Sequence, residues 1–305
     1  MIEILKIDKK RVKALKKAQH NCWINVIEPT PEEISKLKEI IDIPLKIIQG
    51  LQDPDEIPES EEYKGYTFLI IRTPYNSPKS ELTYTTQPLG IFLHDDFVLT
   101  ICYQKNDVID RLKMVPFDFK KSQFVLRALL SASKLYLTYL KDMHKMMIKL
   151  EEELEVSQKN KVIMNFLELE KAFVYFDTSL KGNEILIEKL QKNKRLMKHK
   201  ENKAMIDHII EETRQGVQMV GVYSSILSNT LDAFASIISN NLNIVMKTLT
   251  SLTLIFNVPI LIASIYGMNV NLPAGHSPYA FPVIMGISIF LSLIAVFIFA
   301  KKKFF

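Results

Sequence analysis

The spacing of apolar and polar positions divides the chain into three regimes. Up to about residue 120, short apolar runs alternate with turn residues. Residues 2–7, 22–27, 66–73, 90–93 and 97–103 are rich in β-branched and aromatic side chains and predict strands, with a turn at Asp95-Asp96. Thr30-Pro31-Glu32-Glu33 predicts a helix start, with Thr as cap, Pro at the first position and acids in the first turn. Beyond this the period becomes helical, as in Leu126, Leu129, Leu130, Ser133, Leu137 and Leu140. Between Ser122 and Lys247 there is no proline, and only Gly182, Gly216 and Gly221 interrupt. Bends are expected near Lys181-Gly182-Asn183 and in the basic stretch 191–203. The last helix, from about Ala204, has no stop signal before the third regime, so about 60 residues would run for about 90 Å. That third regime is two segments, 248–268 and 279–300, without Asp, Glu, Lys or Arg. Each is long enough to cross a hydrocarbon core of about 30 Å.

The expected architecture is an α/β cytoplasmic domain over residues 1–120 and long cytoplasmic helices, including a stalk, over 121–247. A first transmembrane helix over 248–268, an external loop over 269–278, a second transmembrane helix over 279–300 and a basic tail over 301–305 complete it. The net charge of +5 matters less than its placement. Lys247 precedes the first span and Lys301-Lys302-Lys303 follow the second, whereas the connection has no Lys or Arg. The positive-inside rule then puts both termini in the cytoplasm, with the hairpin in the inner or plasma membrane. The opening MIEILKIDKKRVKALKK is charged throughout and lacks a signal-peptide pattern. Cys22 and Cys102 are expected to be reduced core thiols.

Two helices cannot enclose a water-filled path, so conduction requires several copies around an axis. Asn243, Met246, Thr250, Thr253, Asn257 and Ser264 step by three, four, three, four and seven residues, which places them on one helical stripe. Such polar residues face either a partner helix or a cavity. An asparagine in mid-span, Asn257, favours a lumen. The stripe carries no charge, which suits Mg²⁺: that ion sheds water reluctantly, and neutral carboxamide oxygens can hold its water shell. Asn269 would supply an oxygen ring at the outer mouth. Gly267 would let the helix end in a tight turn, and Tyr266 suits the interface.

The run Tyr266-Gly267-Met268-Asn269 lies between two C-terminal spans, after Asn243-x-x-Met246-Lys247 and before a lysine cluster. In this the chain resembles the CorA family of divalent-cation channels, whose signature is Gly-Met-Asn. Trp23-Ile24-Asn25-Val26 is similar to the family's early strand, and residues 63–73 and 89–103 to its central sheet. The resemblance implies a homopentameric, funnel-like Mg²⁺ channel gated by intracellular Mg²⁺, with Gly267, Met268 and Asn269 as the selectivity element. By position, Asn243, Met246, Leu249, Asn257 and Ile260 are similar to the family's pore-lining residues, beside Thr250 and Thr253 of the stripe. Met246 and Leu249 would be the hydrophobic constriction, which can gate by dewetting. The chain departs from the family in its acid-free outer loop and in Asn257, where a well-studied branch has methionine. A zinc-handling branch differs in the middle letter of the tripeptide, so Met268 favours Mg²⁺ while leaving Co²⁺, Ni²⁺ and Zn²⁺ open.

Family members sense Mg²⁺ with carboxylates between neighbouring cytoplasmic domains. The candidates here are Asp53 and Asp55 (with Glu56) in a loop, and Asp207 and Glu211 (with Glu212) on the stalk. Where relatives have an acidic pair after Pro-Leu, this chain has Ile48-Gln49 after Pro44-Leu45. For each acid, a solvated charge with a Lys203–Asp207 pair is the simpler reading. Glu151, Glu152, Glu153 and Glu155 read as a solvated helix face. The basic run 192–203 lacks interleaved aromatics, so lipid or acidic side chains are its expected partners and nucleic acid is not. His20, beside Cys22, is expected in the core; His276, in the outer loop, is a lone possible ligand. No P-loop, nucleophile elbow or HExxH is present, so no enzyme is expected. The expected partners are further copies of the chain, the bilayer and divalent cations. The rivals are a Zn²⁺, Co²⁺ or Ni²⁺ transporter on the same scaffold, and a membrane-anchored interaction protein whose hairpin only tethers it.

Overall fold

The computed structural model describes residues 1–8, 11–63, 65–76, 83–114, 117, 119–156, 160–193, 196–270 and 277–302. They form two units, Met1–Asn229 and Thr230–Phe305.

The first unit is built on a seven-stranded sheet: β1 (Ile2–Asp8), β2 (Arg11–Ala14), β3 (Cys22–Ile27), β4 (Glu59–Tyr63), β5 (Tyr66–Asn76), β6 (Tyr84–His94) and β7 (Phe97–Cys102), in the order β2-β1-β3-β7-β6-β5-β4. Only β3 and β7 pair in parallel, with Asn25 opposite Thr100. Helices α1 (Pro31–Ile40) and α2 (Leu45–Gly50) cover one face; α3 (Asp107–Met114), α4 (Lys121–Val156) and α5 (Asn160–Gln191) cover the other. Both faces are therefore apolar. Trp23, Leu69 and Ile71 pack towards the long helices, while the intervening Ile24, Phe68 and Ile70 pack towards α1 and α2. Burial on both faces makes these strands read as unbroken apolar runs.

The predicted start of α1 has the expected chemistry. Thr30 accepts from the Glu33 N–H and the Glu33 carboxylate accepts from the Thr30 N–H, a complete capping box. Pro74 and Pro88 lie inside β5 and β6, on stretches that β4 and β7 do not reach. A missing N–H there costs no ladder bond to a third strand.

Two expectations are corrected. No bend occurs at Lys181-Gly182-Asn183, since α5 continues to Gln191. Gly182 is there for space: a Cβ would come within 2.9 Å of the Pro58 ring. His20 is not in the core but exposed, with Nδ1 2.9 Å from Asp96 Oδ1. The basic stretch does turn the chain, through a short 3₁₀ segment at Leu196–Lys198. Cys22 and Cys102 are free and fully buried, and burial pushes the Cys102 thiol up to about 12.

The helix α6 runs without interruption from Lys200 to Tyr266, with Pro259 inside it, and α7 spans Ala280–Lys301. In the first unit, Ile206, Ile209 and Ile210 of α6 join the core beneath α4 and α5, and the Thr213 hydroxyl lies 2.8 Å from that of Ser133. In the second unit most described residues are exposed; Ile255, Pro259, Ile262, Ile284 and Ser292 are half-buried, and of the described residues only Ser251 and Ser288 are buried.

Candidate ion pathway and cation-sensing residues

Among the described residues two helices, α6 and α7, are long and apolar enough to cross a membrane. The side of α6 that faces α7 is set by Ile255, Pro259, Ile262 and Tyr266, which share a cleft with Ile284, Ser288, Ser292 and Val296. Helical spacing of three and four keeps these α6 residues on one face. At about 100° per residue, Met246, Thr250, Thr253, Asn257 and Ile260 fall on the opposite face. Every one of them is exposed within the single chain, as are Asn243 and Leu249. The polar stripe therefore does not pack against the chain's own second span. That removes the intrachain version of the helix-packing reading. The Thr253 hydroxyl donates back to the Leu249 carbonyl at 2.8 Å, leaving lone pairs free to accept from an ion's water.

The helix ends at the signature. The Gly267 N–H donates to the Ala263 carbonyl at 2.9 Å and the Met268 N–H to that of Ile265 at 3.3 Å. Gly267 does not adopt the left-handed conformation of a glycine cap. Its missing side chain matters for another reason: a Cβ would press within 3.2 Å of the Ala263 oxygen. Met268 and Asn269 are exposed just beyond this turn. Residues 271–276, which hold His276 and most of the acid-free outer loop, and Lys303 of the terminal cluster lie outside the described residues.

The acidic candidates fall into two places. Asp53 and Asp55 occupy the loop between α2 and β4, where the Asp53 carboxylate accepts from the Asp55 N–H at 2.9 Å. That loop is held by a residue the sequence reading passed over, Arg72 on β5, only 5% exposed. Its guanidinium donates to the Pro54 and Glu56 carbonyls, to Ser179 Oγ at 3.2 Å and to Thr86 Oγ1 at 2.5 Å. Asn183 grips the same strand, accepting from the Arg72 N–H at 2.9 Å and donating to its carbonyl at 2.7 Å. Burial depresses the Arg72 pKa, while Tyr136, Asp55 and Asp53 oppose that shift. The available signal was an arginine embedded in the apolar run Leu69-Ile70-Ile71-Arg72.

Asp207 and Glu211 line a cleft of about 330 Å³ with Glu188 and Arg214. Asp207 accepts from Gln191 Nε2 at 3.0 Å rather than pairing with Lys203. Arg214 bonds Glu184 and Glu188, each at 2.8 Å, and these two hydrogen bonds raise its pKa. Among the described residues of one chain, no three His, Cys, Asp or Glu side chains converge as a metal site. A second copy would have to complete either cluster.

The model of the family described as CorA-like Mg²⁺ transporter protein matches residues 18–302. The chain is 30% identical over 290 residues to the cobalt/magnesium transport protein CorA of Methanocaldococcus jannaschii, covering 92% of this chain and 90% of that protein. It is 23% identical over 291 residues to the protein of the same name from Thermotoga maritima, covering 92% and 82%. The complete structure of the M. jannaschii CorA magnesium transporter superposes with a TM-score of 0.85 at 26% identity, covering 100% of this chain and 99% of that one. With a sheet-bearing unit, a long α6 and a C-terminal apolar helix matched from end to end, the chain belongs to the CorA-like Mg²⁺ transporter family.

Proposed function

We propose that the protein conducts Mg²⁺ across a membrane through a lumen lined by the α6 helices of a homopentamer, with Co²⁺ as a second substrate. The observation that carries this reading is the uncharged polar stripe of α6, turned away from α7 and leading to the Asn269 carboxamide. Family membership supports the substrate class. Met246 and Leu249 form the constriction, Thr250, Thr253, Asn257 and Ile260 line the lumen, and Gly267, Met268 and Asn269 select at the mouth. The energy source is the gradient itself. A membrane potential contributes about 2.3 kcal/mol per charge per 100 mV, twice that for a divalent ion.

Flux into liposomes containing the purified chain, with Mg²⁺ compared against Co²⁺, Ni²⁺ and Zn²⁺, tests the reading. Saturable Mg²⁺ entry that follows the imposed potential is expected. Entry of Zn²⁺ or Ni²⁺ in preference to Mg²⁺ would move the chain to a different substrate. No flux of any divalent ion would leave the hairpin as a tether.

A further inference from the structure

We propose that the cleft between α3 and α4 binds a small organic phosphate, a dianionic head on an apolar body. The cleft has a volume of about 310 Å³, the lower end of the range for small-molecule sites. Three cations converge on it: Arg111 from the last turns of α3, and Arg127 and Lys134 from α4. Arg127, Ser131 and Lys134 step by four and three and so share one helical face.

None of the three cations forms an ion pair with a described residue, although acids are near. Those acids are engaged elsewhere: Asp107 accepts from the Tyr139 hydroxyl, Asp110 pairs with Lys105 at 3.5 Å, and Glu3 with Lys113 at 2.5 Å. Among the described residues the three cations are therefore left without a direct carboxylate partner.

Arg127 is held by a ring rather than by a carboxylate: its guanidinium lies 4.6 Å from the centroid of the Phe117 ring. Arginine's planar fork matches phosphate oxygens two at a time. Three positive charges call for a dianion, which a phosphate monoester approaches at neutral pH. The remaining walls, Leu112, Phe117 and Leu130, suit an apolar body and set the site apart from a bare charge patch.

Titration calorimetry on the full-length protein in detergent tests this with phenyl phosphate, inorganic phosphate and phenol at fixed ionic strength and without Mg²⁺. Phenyl phosphate should saturate one site per chain, about tenfold or more tighter than inorganic phosphate, and phenol should not bind. Lys134→Gln and Arg111→Gln are rim substitutions that should each weaken phenyl phosphate about tenfold, with the ligand-free melting temperature and the oligomeric mass unchanged. Absence of saturable binding would overturn the proposal. So would equal affinity for both phosphates, or undiminished binding in both variants. A fall in oligomeric mass in either variant would instead assign the cations to a neighbouring copy, and would equally overturn it.

Discussion

At the scale of single residues, polar side chains do most of the specifying. Trp23 Nε1 donates to Thr100 Oγ1, that hydroxyl donates to Asn25 Oδ1, and Asn25 Nδ2 donates to Glu3 Oε2, which Lys113 also holds. Burial alone would raise the Glu3 pKa, but the bonds from Lys113 and Asn25 outweigh it, and the carboxyl sits below its usual value. A depressed carboxyl contributes stability that is present above its unfolded pKa and is lost as pH falls through the folded one. Lys113→Met should therefore cost about 0.5–1 kcal/mol at pH 7, the two side chains being 26% and 28% exposed. That cost should fade as melting is repeated at acid pH, once Glu3 is protonated in wild type and variant alike. At the outer mouth, Asn269→Ala deletes the proposed oxygen ring without touching a helix. Selective Mg²⁺ uptake should disappear while the oligomer assembles normally; wild-type flux in an assembled variant would remove Asn269 from the selectivity role.

Elements were legible in the sequence in proportion to how deeply they are buried. The central strands β3 and β7 were readable to within a residue, because burial on both faces leaves a plain apolar run. The two strands missed altogether, β2 and β4, are the edges of the sheet. Arg11 and Lys13, or Glu59, Glu61 and Glu62, guard an edge against pairing with another chain and hide its hydropathy pattern. The strand β6 was read too short, as residues 90–93, because Pro88 looks like a breaker. Pro88 is tolerated because it lies beyond the reach of β7, while Gly90, inside the run that was read, makes room for the Leu51 side chain. Gly182 misled in the same way, since its purpose is clearance for Pro58 rather than flexibility. Gly182→Ala should destabilise the first unit by about 1–3 kcal/mol through overpacking, despite alanine's better helix propensity. Chemical denaturation of the variant measures this, and a gain in stability would show that the Pro58 ring gives way and that helix propensity decides. Of the candidate site, the polar stripe was legible from spacing alone. Its orientation opposite α7 was not, because the rest of the α6 span is apolar and has no face that betrays which side its partner takes.

At the scale of the whole molecule, two expectations concern side and signal. Lysines flank the hairpin at Lys247 and at Lys301-Lys302-Lys303, so a cysteine placed at Ser277 should react with a membrane-impermeant reagent in intact cells and one placed at Lys302 should not. The reverse pattern would invert the topology. Cation sensing, if it works through carboxylates that copies share, should weaken when Asp53, Asp55, Asp207 and Glu211 are neutralised together. The concentration of internal Mg²⁺ needed to halve the current should rise several-fold while ion selectivity stays unchanged. Unaltered inhibition in patch recordings would place the sensor on other residues. The charge of Arg214 beside Asp207 and Glu211 offers a second handle on the same cleft.

The two native thiols have a practical meaning for all such labelling. Cys22 and Cys102 sit near opposite ends of the one parallel strand pair, in register with Phe97 and Ile27. Neither is accessible, and the Cys102 sulfur is held as the unreactive thiol. The wild-type chain should thus be silent towards maleimides, and introduced cysteines need no cysteine-free background. Under mild denaturant the silence becomes a clock. Whichever thiol is tagged first marks the end from which β3 and β7 part, so mass spectrometry of two peptides would time the opening of the sheet's centre from both directions.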